Sequence, residues 1–339
     1  MEASLGTFSR MQPVFIIAAA LIGIALGQIA FFSDNTEMLI QPFLMVLLFI
    51  VFLKVDLKDI VRSFKNVRFT STAVLINFVW TPILAICLGY AFLRGSEDLM
   101  IGFLMLLVTP CTDWFMVFTS MSKGNVSLSA SILPLNLVLQ VFLLPLYLFL
   151  FLGTETSFSI PSILLSIIIV LAIPFVSATL VKIIIKKAGK KEELDEKTGT
   201  HGDNLQLLFL CLAVFAMFAS TGNMIVDDPK VLVQMLIPLL IFFTLNFFIS
   251  RIVGRTLKFS FDDTTSLTFT TMARNSPLAL AIAVAAFPDS PLIALALVVG
   301  PLIELPILSL ASAAVLKMRA NNEKRMVCEN LYMIIKKNR

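Results

Sequence analysis

Charge, histidine and the polar aromatics are all scarce in this sequence. Of 339 residues, 14% are charged, one is histidine, three are tyrosine and two are tryptophan. A typical soluble domain is about 25% charged and about 45–50% apolar. Here 58% of residues are hydrophobic and the mean hydropathy is +0.94, which excludes a water-soluble globular protein and a disordered chain. Nothing resembles a solvated basic face, so nucleic acid is not expected as a partner. The single histidine, His201, lies in a charged loop, so no histidine-based nucleophile pair exists in the apolar segments and an enzyme is not expected. H-E-x-x-H, the P-loop and G-x-G-x-x-G are missing, which argues against a resident cofactor and against ATP-driven pumping by this chain. Cys87, Cys111, Cys211 and Cys328 are scattered, with no C-x-x-C, and give neither a disulfide framework nor a zinc site.

What is present is apolar sequence in long unbroken runs, which excludes the alternating pattern of a transmembrane β-barrel. A membrane-spanning helix needs about 20 apolar residues. Ten apolar segments are read, at 11–32, 38–55, 69–93, 98–121, 127–152, 158–185, 204–225, 231–257, 264–287 and 291–316. The first is longer than the apolar core of a signal peptide, about 7–15 residues, and is read as a retained span. Placing the N-terminus in the cytoplasm puts 23 of the 26 lysines and arginines on the cytoplasmic side, leaves Arg94 and Lys230 opposite, and leaves Arg274 inside a span. That asymmetry predicts a plasma-membrane protein with both termini cytoplasmic.

The charged linker at 186–203 divides the ten segments into five plus five. An odd number per half forces opposite orientations, so the expected fold is all-α and polytopic: ten transmembrane helices as two inverted five-helix repeats, with broken fourth and ninth helices. The first repeat is 11–152. Residues 153–203 hold the start of the sixth helix and the linker, 158–317 the second repeat, and 318–339 a basic cytoplasmic tail able to lie as a surface helix on anionic lipid.

Ionisable groups deep in a span are costly and mark functional sites. Three are found, Asp113, Arg274 and Glu304, all near proline interruptions. The first interruption reads Thr109-Pro110-Cys111-Thr112-Asp113 and the second Arg274-Asn275-Ser276-Pro277, so Pro110 and Pro277 are the expected helix breaks. Asp113 is read as a cation or proton carrier, or as the cap of a restarting half-helix. Glu304, within Gly300-Pro301-Leu302-Ile303-Glu304, is read as a proton or ion carrier, or as a buried partner of Arg274. Arg274 keeps its charge, and either holds an anionic substrate or neutralises the two acids. Cys111 is a soft ligand for a thiophilic atom, against the commoner role of a small buried apolar residue. Thr109, Thr112, Asn136, Gln140, Asn275 and Ser276 are polar at the same depth, and must pair with one another or face a water-filled cavity. Asn77 and Trp80, before Pro82, are read as packing and polar glue.

The Thr-Pro-Cys-Thr break at 109–112, Leu267–Phe287 and the GPLIELP run at 300–306 together resemble the arsenical-resistance permeases of the bile acid/sodium symporter superfamily. The resemblance implies that the broken fourth and ninth spans cross in a core domain, packed on a panel domain. It also implies that Cys111 meets trivalent arsenic and that an acid carries a proton. Two departures stand out. The acid of the permeases' N-N-x-E motif falls at Pro277, and Arg274 replaces a neutral polar residue, so the proton would pass to Glu304 or Asp113. In the bile acid branch a sodium-binding acid and glutamine fall near Thr270 and Arg274, where a fixed guanidinium disfavours sodium.

The expected function is therefore secondary transport: proton-coupled efflux of arsenite, possibly antimonite as well, with Cys111, Thr112, Arg274, Asn275 and Ser276 at the substrate and Glu304 and Asp113 in coupling. The alternative is a sodium- or proton-coupled symporter of an organic anion held by Arg274. A membrane receptor without flux is a third class, which the lack of a soluble signalling domain disfavours. Expected partners are a small anion or neutral acid, a coupling proton rather than sodium, and the lipid bilayer.

Overall fold

The structure is a computed structural model and describes residues 12–54, 64–112, 114–152, 160–188, 202, 204–220 and 230–337. Asp113 and most of the 186–203 linker lie outside the described residues. Among those described, the chain is helical, and its one β-type feature is an isolated bridge between Pro110 and Arg274.

The helices in order are α1 (Gln12–Leu26), α2 (Ala30–Asn35), α3 (Glu37–Lys54), α4 (Val67–Phe92), α5 (Glu97–Val108), α6 (Trp114–Met121), α7 (Val126–Leu152), α8 (Ile160–Lys187), α9 (Asn204–Ser220), α10 (Lys230–Thr256), α11 (Phe261–Met272), α12 (Ser276–Ala286) and α13 (Pro291–Lys337). Four stretches among the described residues are long and apolar enough to cross a membrane: Val67–Phe92, Val126–Phe151, Val233–Thr256 and Pro291–Asn321. Shorter apolar helices accompany them. Their outer faces carry Phe31, Met38, Phe142 and Leu310 at 67–73% exposure, a density of bare apolar side chains that fits lipid and not water. The chain is a multi-pass membrane protein. The basic tail is not a separate helix: α13 continues unbroken to Lys337.

Local sequence explains where the helices bend and stop. Pro82 has no N–H and its ring crowds the carbonyl four residues back. That carbonyl, on Phe78, instead accepts the hydroxyl of buried Tyr147 at 2.5 Å. The same stretch of α4 widens into a π turn at Ile76–Trp80, a local form often found at functional sites. Helix α5 starts at an N-cap, Ser96, whose hydroxyl accepts from Leu99 N, with Glu97 and Asp98 in its first turn. It ends before Pro110 because the residue preceding a proline favours extended backbone, and Thr109 has φ −105 and ψ 98. Helix α11 starts in the same way, with Ser260 capping Asp263 N at 3.0 Å. Helix α12 starts with Asn275 accepting from Leu278 N at 3.3 Å, and Pro277 sits in its first turn, where a missing N–H costs nothing.

The broken helices lie in the middle of the packing. Helix α5 packs on α4, α7, α12 and α13, and α11 packs on α4, α6, α7, α10 and α13. At Gly102 the backbones of α5 and α13 approach so closely that a Cβ would lie 2.6 Å from Ala296 Cβ and 2.7 Å from the Ile293 carbonyl. This contact holds the first half of one broken helix against the helix that carries Glu304.

Candidate functional site

The two breaks meet. Cys111 N–H donates to Ala273 O at 3.0 Å, and Asn275 N–H donates to Thr109 O at 2.7 Å. These bonds flank Pro110 and Arg274 as a non-hydrogen-bonded antiparallel pair, whose own N–H groups point away from the partner strand. Proline can occupy such a position without loss. Arg274 N–H points outward from the bridge and donates to Glu304 Oε1 at 2.9 Å. Glu304 is 2% exposed and comes from α13. It therefore partners Arg274 through the main chain, a contact no helical pattern announces.

The Arg274 side chain is 1% exposed and turns toward the carbonyl ends of the two first half-helices. Nε donates to Met272 O at 3.1 Å, Nη1 to Leu107 O at 2.9 Å, and Nη2 to Asn77 Oδ1 at 3.1 Å and to Thr271 O. Its Cζ lies 5.2 Å from the centroid of the Phe242 ring, a cation–π contact. Helices leave their last carbonyls unpaired and partially negative. One guanidinium thus neutralises the ends of both α5 and α11. The Asn77 amide closes the arrangement by donating to Thr270 O at 3.3 Å, and Trp80 Nε1 on the same turn of α4 donates to Asn246 Oδ1 at 3.1 Å.

The other expected site residues gather close to the bridge in sequence and are buried. Cys111 and Thr112 are 2% and 1% exposed. Asn275 Nδ2 donates to Thr112 Oγ1 at 3.4 Å. Thr109 Oγ1 donates to Met105 O and Leu106 O at 2.9 and 3.1 Å, closing the end of α5. Ser276 Oγ donates to Leu297 O on α13, tying the start of α12 to the helix of Glu304. Of the expected residues, Cys111, Thr112, Arg274, Asn275, Ser276 and Glu304 share this crossing with Pro110 and Pro277, and Asp113 lies outside the described residues. Cys87 is exposed and Cys211 only partly buried, away from the breaks in sequence.

Asn77, expected as packing and polar glue, bonds at the site itself, accepting from Arg274 Nη2 and donating to Thr270 O. The available signal was its place within the turns before Pro82. Phe242 carried no signal among thirty phenylalanines.

Known proteins match along most of the chain. The model of the Sodium Bile acid symporter family matches residues 41–228. The arsenical-resistance protein Acr3 of Corynebacterium glutamicum is 27% identical over 325 residues, covering 90% of this chain and 88% of that protein. Acr3 of Alkaliphilus metalliredigens is 21% identical, covering 90% and 91%. An uncharacterised transporter of Synechocystis is 23% identical, covering 90% and 87%.

Proposed function

The chain belongs to the sodium bile acid symporter family, and we propose that within it this protein is a secondary transporter that exports arsenite across the plasma membrane in exchange for protons. The observation that carries the reading is the bridged crossing: a buried thiol, Cys111, and a buried carboxyl, Glu304, attach to the same short piece of backbone. The similarity to two arsenical-resistance proteins over nine-tenths of the chain supports it.

In this reading the ten apolar segments are ten spans, arranged as two inverted five-helix repeats (11–152 and 158–317) with both termini in the cytoplasm. The thiol is a soft contact for arsenic. A single thiol binds weakly, as a carrier that must release its cargo requires. Thr112, Asn275 and Ser276 contact the cargo beside the thiol. Glu304 carries the proton, with Asp113 as the second acid. Arg274 serves as a fixed internal cation and not as a substrate anchor, because its donors already face four oxygens. That occupancy disfavours the organic-anion alternative, which needs a free guanidinium, and it disfavours sodium as the coupling ion.

Everted membrane vesicles from an efflux-deficient host test the reading. Vesicles carrying the protein are expected to accumulate arsenite when a proton gradient is imposed, and Cys111→Ser is expected to abolish accumulation. Undiminished uptake by Cys111→Ser overturns the thiol's role. Uptake that persists after the gradient is collapsed overturns the coupling. Loss of organic-anion uptake in Arg274→Ala, with arsenite tolerance intact, would establish the alternative.

A further inference from the structure

Helix α7 carries two amides that no described residue answers. Asn136 and Gln140 are both 0% exposed, and no described residue pairs with the oxygen or the nitrogen of either side chain. A buried amide without partners loses the full cost of desolvation. Two of them four residues apart, on one face of a helix, are a pattern that packing alone disfavours: leucine would fill the space at lower cost.

Their surroundings follow from the packing of α7. Ser129 Oγ donates to Thr119 Oγ1 on α6 at 3.4 Å. Seven residues are nearly two turns, so Asn136 keeps the face that Ser129 turns to α6, and Gln140 follows one turn on. Helix α7 packs on α5, α6 and α11, the half-helices whose ends form the crossing. A third orphan is a hydroxyl on α11, a helix packed on α7. Every other hydroxyl on α11, from Thr264 to Thr271, donates to a carbonyl, most of them one turn back on α11 itself. That of Thr270 has no partner among the described residues although it is 1% exposed.

We propose that Asn136 and Gln140 form a hydroxyl-binding site at the crossing, which recognises a small neutral acid bearing several hydroxyl groups. Each amide offers one acceptor and two donors, which suits hydroxyls that both donate and accept. It suits a carboxylate or an oxyanion poorly, because the amide oxygen would then face negative charge. The site rests on the arsenite reading and sharpens it. The thiol at Cys111 recognises the central atom, and the amides of α7 recognise its hydroxyls. Selectivity for the uncharged acid follows, which one thiol cannot supply.

The test uses purified full-length protein in detergent and two neutral trihydroxy acids, arsenite and boric acid, with boric acid lacking affinity for thiols. Thermal-shift titrations are run on the wild type, on Asn136→Leu with Gln140→Leu, on Gln140→Met, and on Cys111→Ser. The wild type is expected to be stabilised by both acids, and Cys111→Ser by boric acid still. The double leucine variant is expected to bind both acids about tenfold or more weakly, since at least one buried hydrogen bond is lost. Its melting temperature without ligand is expected to equal or exceed that of the wild type, because orphan polar groups have been removed. Gln140→Met gives the smaller part of the same loss. Unchanged binding in the double variant overturns the proposal, as does a wild type that neither acid stabilises. Lowered ligand-free stability in both α7 variants, with binding intact, assigns the amides to structure and also overturns it. A wild type that binds both acids but moves no arsenite in vesicles refutes the export reading and leaves the hydroxyl site standing.

Discussion

Replacing Arg274 with alanine tests whether its guanidinium holds the fold or holds cargo. The side chain reaches four oxygens, those of Leu107, Thr271, Met272 and Asn77, and all belong to buried surroundings. Orphaning a buried acceptor costs about 1–3 kcal/mol. Thr271 O keeps a second donor, Asn246 Nδ2 at 3.3 Å, so at the low end the other three groups cost about 3 kcal/mol. Loss of the contact over Phe242 adds about 1 kcal/mol. The melting temperature of Arg274→Ala in detergent is then expected to fall by about 10 °C or more. Arg274→Lys is expected to fall between the two, since a compact ammonium cannot span the ends of both helices. The vacated oxygens also form a cage of the kind that broken-helix carbonyls offer to sodium. Replacing potassium with sodium is therefore expected to raise the melting temperature of Arg274→Ala and to leave the wild type unmoved. The reasoning is refuted if Arg274→Ala melts with the wild type and shows its defect only in substrate affinity.

Three further outcomes are expected. Glu304→Gln keeps an oxygen for Arg274 N–H, so it should fold normally and exchange arsenite across vesicles in counterflow, while losing accumulation driven by a proton gradient. Gly102→Val places a branched side chain where a Cβ alone meets Ala296 and Ile293 O below 3 Å; overpacking of this kind costs about 1–3 kcal/mol, read as a lower melting temperature. Tyr147→Phe strips the donor from the carbonyl freed by Pro82 and should destabilise by about 1–2 kcal/mol, with transport at permissive temperature near the wild-type rate.

Helix breaks were legible because proline acts locally: Pro110 and Pro277 stop or start helices through the bonds they cannot make. Arg274 and Glu304 were legible as buried charges because a charge inside a long apolar run is conspicuous. The partners of those charges were not. Asn77 stands 197 residues from Arg274 in sequence, and Leu107 meets it through a carbonyl that any residue would supply. Glu304 was expected as a proton or ion carrier or as a buried partner of Arg274, and it does meet Arg274, through a main-chain N–H that side-chain chemistry does not encode. Asn136 and Gln140 were visible as polar residues at depth, but only the packing shows that no described residue answers them. The tail was separated from the last span by its charge, whereas helix propensity carries α13 through the change in composition.

The bridge between Pro110 and Arg274 has a mechanical consequence. Two main-chain hydrogen bonds clasp the breaks together, so thiol, carboxyl and guanidinium ride on one rigid knot. A transport stroke that split the site down the middle would have to unfasten that knot in hydrocarbon on every cycle. A stroke that carries the knot intact past the surrounding helices breaks no such bond. If the chain transports as proposed, the cargo would then move with its binding place, as a passenger in a lift.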